Sequence, residues 1–231
     1  MATHVAWLAR RFGRPELAPF TVSDVAALTT TLQRVGLRAG EKLLTAGEVA
    51  DAAYVVEHGE IELFLPRHGS RHLVAIHRPG GVIGDIPLLC EMPAPYTAVA
   101  RRDATVLVIE HGALLDLLGT HPAIALRWLT STVRRLEHAN RRIVALTIGD
   151  LRDRVLALLA DELAGDERRH VDLTQAEMAA LLGATRQSVN RVLHEFVGEG
   201  VIATGYGGVE VIDPRRLIAL AGQEGVTGGR C

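Results

Sequence analysis

The sequence predicts an α+β chain in three parts: a β-rich N-terminal half, one long helix, and a C-terminal segment of short helices ending in a hairpin. Three observations carry that expectation. Short apolar segments broken by Gly, Pro and Asp run from Val35 to Ile109, and short strands at near-regular spacing indicate an antiparallel sandwich or barrel. From Pro122 to Thr147 apolar residues recur every three or four positions, the period of a helix. After Gly149 the pattern breaks and restarts as shorter amphipathic helices.

Along the chain, a first helical pattern covers Val22 to Leu32, with Ser23 as its expected N-cap. The strand segments are Lys42-Leu-Leu, Tyr54-Val-Val-Glu, Glu60-Ile-Glu-Leu-Phe-Leu, His72-Leu-Val-Ala-Ile and Ala104-Thr-Val-Leu-Val-Ile. Turns are expected at Arg38-Ala-Gly, Ala46-Gly, His58-Gly, Arg67-His-Gly-Ser and Arg78-Pro-Gly-Gly. In the long helix, Leu126, Leu129, Val133, Leu136, Asn140, Ile143 and Thr147 form a heptad seam flanked by Arg134, Arg135, Arg141 and Arg142. Such a seam suits a partner helix of its own kind, and a lone Asn on it fixes register. Packing of the same stripe on its own sandwich is the alternative.

Asp150 is the expected N-cap of a helix from Leu151 to Leu163, with Gly149-Asp150 as a hinge. A polar loop, Gly165 to His170, follows. Thr174 and Glu177 have capping-box spacing at the start of another helix. Met178, Leu182, Val189 and Val192 face inward at helical spacing on either side of Gly183, a residue free to take the positive φ of a sharp turn. The second helix then presents Arg186, Gln187, Ser188, Asn190 and Arg191 outward. This is the pattern of a helix-turn-helix, whose second helix suits the major groove of double-stranded DNA. Val201-Ile-Ala-Thr, Gly205-Tyr-Gly-Gly and Val209-Glu-Val-Ile read as a two-stranded wing, followed by a short helix from about Pro214 to Ala221 and a Gly-rich tail expected to lack order.

Composition narrows the function classes. The chain has 231 residues, 48% of them apolar and 4% aromatic, and a formal net charge of −2, so any affinity for nucleic acid must be local. Lys42 is the sole lysine. Two cysteines, Cys90 and Cys231, cannot supply a four-thiolate metal or iron–sulfur site. No apolar run nears the roughly 20 residues of a membrane span, and the N-terminus lacks the order of a signal peptide, so a cytoplasmic protein is expected. No nucleophile–base pairing, metal-ligand spacing or phosphate-cradling loop points to an enzyme.

The order of these parts resembles the CRP/FNR family of bacterial transcription regulators. The likeness covers nearly the whole chain and is sharpest at Gly59-Glu60-Ile61-Glu62-Leu63, at Pro79-Gly-Gly-Val-Ile-Gly-Asp85, and at Leu173-Thr-Gln-Ala-Glu-Met-Ala through Ser188-Val-Asn-Arg191. It implies a cyclic-nucleotide-binding-like jelly roll (a double-stranded β-helix) as a sensor domain over 1–120. It further implies a dimerisation helix over 121–148 and a winged helix-turn-helix DNA-binding domain over 149–231. A homodimer through the 122–147 helix, a palindromic operator, and RNA polymerase as a candidate partner follow.

Arg186, Gln187 and Arg191 lie on the N-terminal half of the second helix. Arg suits guanine O6 and N7, and Gln can pair with adenine. Family members that read TGTGA-type half-sites carry Glu where Gln187 stands, so the preferred half-site here is expected to differ. Ser188, Thr174 and Gln175 are placed to anchor phosphates.

In members that bind cyclic AMP, a Gly-Glu pair holds the ribose, an Arg followed by Ser or Thr holds the phosphate, and a Thr-Ser pair on the long helix contacts the base. Here the effector candidates are Gly84, Asp85, Tyr96, Thr97 and Asn140. Asp85 is shorter than Glu, Ala94 or Tyr96 stands where the arginine would be, and the helix pair is Ala139-Asn140. Losing the cation forfeits a charge-assisted bond of about 1.5–3 kcal/mol. Cyclic AMP is therefore not expected, nor is a cluster or haem, for which His72 and His77 are the nominal ligands. Gly84-Asp85 kept only as a turn and cap for the fold is the simpler expectation. Cys90 stands beside Glu91 and lacks the electropositive sequence neighbour that favours a thiol switch. Two alternatives stay open: a cyclic-AMP-responsive regulator with a divergent pocket, and a ligand-binding module whose helix-turn-helix mediates protein contacts.

Overall fold

The computed structural model describes residues 3–67, 70–163, 169–205 and 207–223. Expectations for His68-Gly69, the loop from Gly165 to Arg168, Tyr206 and the tail after Gln223 lie outside the described residues. The chain splits into two compact units, Met1–Arg134 and Arg135–Cys231, and the long helix contributes to both.

The first unit opens with two helices, α1 (Thr3–Arg11) and α2 (Val22–Thr31). The cap of α2 is Thr21, not Ser23. Thr21 is extended, its hydroxyl accepts from Asp24 N, and the Asp24 carboxylate accepts from Thr21 N at 2.7 Å. A capping box needs both extended backbone at the cap and an acidic partner at the third helical position, and Thr21 has both.

Eight strands follow: β1 (Gln33–Leu37), β2 (Lys42–Leu44), β3 (Ala52–His58), β4 (Ile61–Arg67), β5 (Ser70–His77), β6 (Val82–Ile83), β7 (Thr97–Ala100) and β8 (Ala104–Glu110). They form two antiparallel sheets ordered β1-β8-β3-β6 and β2-β7-β4-β5, the expected jelly-roll sandwich. Inward residues such as Val55, Ile61, Leu63, Ala98 and Leu107 are buried in one shared core. The short strands β6 and β7 carry too few residues to show an alternating pattern in sequence.

A five-residue helix, α3 (Asp85–Leu89), sits between β6 and β7. Two more close the unit: α4 (His111–Thr120) and α5 (Pro122–Ile148). On the N-terminal part of α5, Ile124, Arg127 and Trp128 are buried while Leu126, Leu129 and Val133 are exposed. The helix thus has two stripes with opposite fates. Arg127 is the unexpected one: it donates to Ala18 O at 2.5 Å and Ala9 O at 2.6 Å and lies 3.6 Å from the Phe20 ring. A buried cation is tolerated only when its donors are spent this way. Here it ties the N-terminal segment to α5.

The second unit contains α6 (Leu151–Leu163), β9 (His170–Val171), α7 (Gln175–Leu182), α8 (Arg186–Gly198), β10 (Ile202–Gly205), β11 (Gly208–Val211) and α9 (Pro214–Gln223). The reciprocal contacts Asp150 N to Asp153 Oδ2 and Asp153 N to Asp150 Oδ1, both 3.0 Å, cap α6 as expected. The wing gains a strand: β9 pairs with β11, so the sheet has order β10-β11-β9, and His170 belongs to it and not to the preceding loop. Val155, Leu156, Leu159, Leu173, Met178, Val189, Leu193 and Phe196 form the core. Arg142 of α5 is not a solvated flank of the seam. It donates to Leu181 O at 2.5 Å, with burial pulling its pKa down and Asp161 opposing that.

Candidate nucleic-acid interface

The site is built on α7 and α8. Thr174 caps α7: its hydroxyl accepts from Glu177 N at 3.2 Å and donates to Glu177 Oε2, which also accepts from Thr174 N at 2.8 Å. Gly183 ends α7 at φ +61, a conformation costly for a residue with a Cβ, and Ala184 N closes the turn on Ala179 O at 2.9 Å. Thr185 then caps α8, its hydroxyl accepting from Ser188 N at 3.1 Å. The turn sets the crossing of the two helices, and Met178, Ala179, Val189 and Val192 are buried where they meet.

This leaves Arg186, Gln187 and Arg191 on the outer side of α8, open to solvent. Ser188 and Asn190 have internal partners. Ser188 Oγ lies 2.9 Å from Thr185 Oγ1, and Asn190 Oδ1 accepts from Gln175 Nε2 at 3.0 Å. Thr174, Gln175, Ala176 and Arg186 border a cleft of about 530 Å³ whose other wall is formed by Thr204, Gly205, Gly207 and Gly208 of the wing. The face therefore combines two exposed guanidiniums, an exposed carboxamide and a concave edge. Donors on an α-helix with a wing beside it match the dimensions and acceptor-rich edges of a DNA groove.

The effector candidates fall into both units. In the first, Gly84 has φ +81, and a Cβ there would stand 2.9 Å from Ala52 O. Its N–H donates to the Tyr96 hydroxyl at 3.4 Å. Asp85 is 2% exposed and accepts from the Trp128 indole N–H at 3.2 Å. Thr97 is buried, its hydroxyl accepting from Ala46 N at 3.0 Å. Arg101 and Arg102 converge on buried Glu60, at 2.6 and 3.2 Å, where Arg78 joins them. Asn140 belongs to the second unit and is exposed on α5. The role of Trp128 is not read from the sequence, although its signal is there: Ile124, Arg127 and Trp128 form a second stripe opposite the seam.

Leu129 (58% exposed), Val133 (53%), Leu136 (59%) and Ile143 (59%) leave the seam of α5 bare within the single chain. No group of His, Cys, Asp or Glu among the described residues could hold a metal ion, and no described helix is long and apolar enough to cross a membrane. Cys90 is exposed.

Comparison with known proteins matches two families along the chain. Residues 34–121 match the cyclic nucleotide-binding domain and residues 153–220 the Crp-like helix-turn-helix domain. The HTH-type transcriptional regulator Cmr of Mycobacterium tuberculosis (strain CDC 1551 / Oshkosh) is 43% identical over 216 residues, covering 94% of this chain and 87% of that protein. The cyclic AMP receptor protein of Thermus thermophilus is 29% identical over 210 residues, covering 90% and 97%. The crystal structure of a CRP/FNR-family transcriptional regulator from the same organism superposes with a TM-score of 0.65 at 27% identity, over 82% of this chain and 98% of that one. With a sandwich, a long helix and a winged helix-turn-helix in that order, and with a relative this similar over this length, the chain belongs to the CRP/FNR family of DNA-binding transcription regulators.

Proposed function

We propose that the chain acts as a cytoplasmic homodimer that binds a palindromic operator and does so without cyclic AMP. The carrying observation is that Arg186, Gln187 and Arg191 are exposed together on α8 while their neighbours on the same helix are engaged internally. In this reading the bare seam of α5 pairs with its twin and presents two α8 helices about one DNA turn, near 34 Å, apart. Arg186 and Arg191 donate to guanine O6 and N7, and Gln187 to an adjacent base edge. Ser188 and Thr174 shape the helix ends more than they touch phosphate, because the Thr174 hydroxyl proton is already given to Glu177.

Independence from cyclic AMP is supported by the residues around α3. The acid that would meet a ribose is buried against Trp128, and Arg78, Arg101 and Arg102 are held by Glu60. Asn140 on this reading sets the register of the paired helices. RNA polymerase is the partner such a regulator would recruit or block at a promoter.

A titration of the purified dimer onto a duplex selected from a random library tests both halves. Affinity is expected to fall steeply as salt rises from about 50 to 200 mM, since displaced counterions give a linear log–log dependence. Adding cyclic AMP at about 1 mM is expected to change that affinity by less than about twofold, whereas a gain in the usual coupling range of about 5–150-fold would establish the cyclic-AMP-responsive alternative. A flat salt dependence would favour protein contacts as the role of the helix-turn-helix.

A further inference from the structure

Asn190 is the fifth residue of α8, on the same outer side as Arg186, Gln187 and Arg191 yet half-buried. Asn is a poor choice for the middle of a helix on propensity alone, so its presence calls for a contact. The contact is long-range: its Oδ1 accepts from Nε2 of Gln175, fifteen residues earlier, at 3.0 Å. Gln175 is the first residue of α7 and borders the cleft between that helix, Arg186 and the wing. A side chain with three rotatable bonds in that position would otherwise sample many rotamers.

The hydrogen bond leaves an uneven set of polar atoms. Gln175 keeps one N–H and its Oε1, and Asn190 keeps two N–H groups. Gln175 brings its remaining N–H to the rim of the cleft with the Asn190 amide bonded behind it, and the neighbouring Thr174 hydroxyl has no proton to add because Glu177 Oε2 holds it. A neutral donor there fits an acceptor without a donor of its own, such as the phosphate oxygen of a nucleic-acid backbone. A base-reading Asn uses its Oδ1 to accept from adenine N6 while its amide donates to N7. Here Oδ1 is turned to Gln175 instead.

We propose that Asn190 is a positioning residue. It fixes the carboxamide of Gln175 at the rim of the cleft so that Gln175 donates to a phosphate oxygen of bound DNA, and Asn190 itself reads no base. This rests on the operator-binding role proposed above and assigns one half-buried residue of α8 to backbone anchoring.

The test has a part that needs no DNA. In protein labelled with ¹⁵N-glutamine, the side-chain amide signals of Gln175, assigned from Gln175→Ala, are expected to shift in Asn190→Ala. They are expected to stay in Asn190→Asp, which keeps an acceptor oxygen. On the selected duplex, Gln175→Ala, Asn190→Ala and the double variant are each expected to bind about three- to tenfold more weakly, the range of one neutral hydrogen bond. The double variant should lose no more than either single one. Because both groups are neutral, the salt dependence should keep its slope, and base preference should not change. Unmoved Gln175 signals in Asn190→Ala would overturn the proposal, as would additive losses or relaxed preference at a single base pair. A wild-type protein that binds no duplex overturns the operator reading and this proposal with it. Additive losses in a protein that does bind overturn the proposal alone.

Discussion

The surroundings of Asp85 and the outer face of α8 are both rich in polar groups, but they use them in opposite ways. Around α3 each group of the motif is turned inward. Asp85 meets the Trp128 indole, the Thr97 hydroxyl takes Ala46 N, and Tyr96 takes Gly84 N. On α8 the guanidiniums of Arg186 and Arg191 and the Gln187 carboxamide remain in solvent. Buried polar groups must find partners inside the fold, and a group already satisfied contributes little to an external ligand. The contrast teaches that two polar-rich regions of one chain can direct their hydrogen-bonding groups oppositely, inward around α3 and outward on α8.

That contrast can be broken by substitution. The largest expected effect is on the seam: Leu136→Asp puts a charge where two α5 helices would meet, and sedimentation should show monomer where wild type is dimer, with operator binding lost. A Leu136→Asp protein that stays dimeric would exclude the seam as the dimer interface. Arg186→Ala and Arg191→Ala come next. Each should weaken operator binding by about 1–3 kcal/mol while leaving the melting temperature unchanged, since surface changes away from packed features shift stability by no more than about 0.5 kcal/mol.

Asp85→Ala should show the reverse, a loss of about 1–3 kcal/mol of stability in denaturant melts from orphaning a buried indole N–H, with little change in the salt slope of DNA binding. If Asp85→Ala alters a cyclic AMP response and not stability, the inward reading of α3 is wrong.

The smallest effect is one of pH. Burial works against ionisation of Asp24, but bonds from the Thr21 hydroxyl and backbone N–H, together with His121 at 2.8 Å, outweigh it and hold the carboxyl below its ordinary value of 3.8. A depressed carboxylate contributes stability above its unfolded pKa and loses it as pH falls through the folded one. Asp24→Asn should therefore cost stability at pH 7 and flatten the decline below about pH 4 in melts of the same protein.

Local features are legible in the sequence because their causes are local. The Thr174–Glu177 capping box, the turn at Gly183, the Asp150 cap and the two-faced character of α8 each depend on residues a few positions apart. The seam is legible because its period is uniform, and its exposure in the single chain agrees with it. Contacts between distant segments are not. Trp128 to Asp85, Arg127 to Ala9 and Ala18, Arg142 to Leu181, and Gln175 to Asn190 all join elements whose approach depends on the packed fold. Arg127 comes nearest to legibility, as a cation on an otherwise apolar stripe with Ile124 and Trp128. Ser23 gives way to Thr21 because composition shows which residues can cap but not which one adopts extended backbone three positions before an acid.

Guanine N7 methylation interference on the selected duplex tests the central claim most directly, because N7 faces only the major groove. If the arginines of α8 read bases, two clusters of interfering guanines should lie about 10 base pairs apart, related by the palindrome, with one guanine in each cluster losing its effect in Arg191→Ala or Arg186→Ala. Interference confined to one cluster, or an unchanged pattern in both variants, would contradict it.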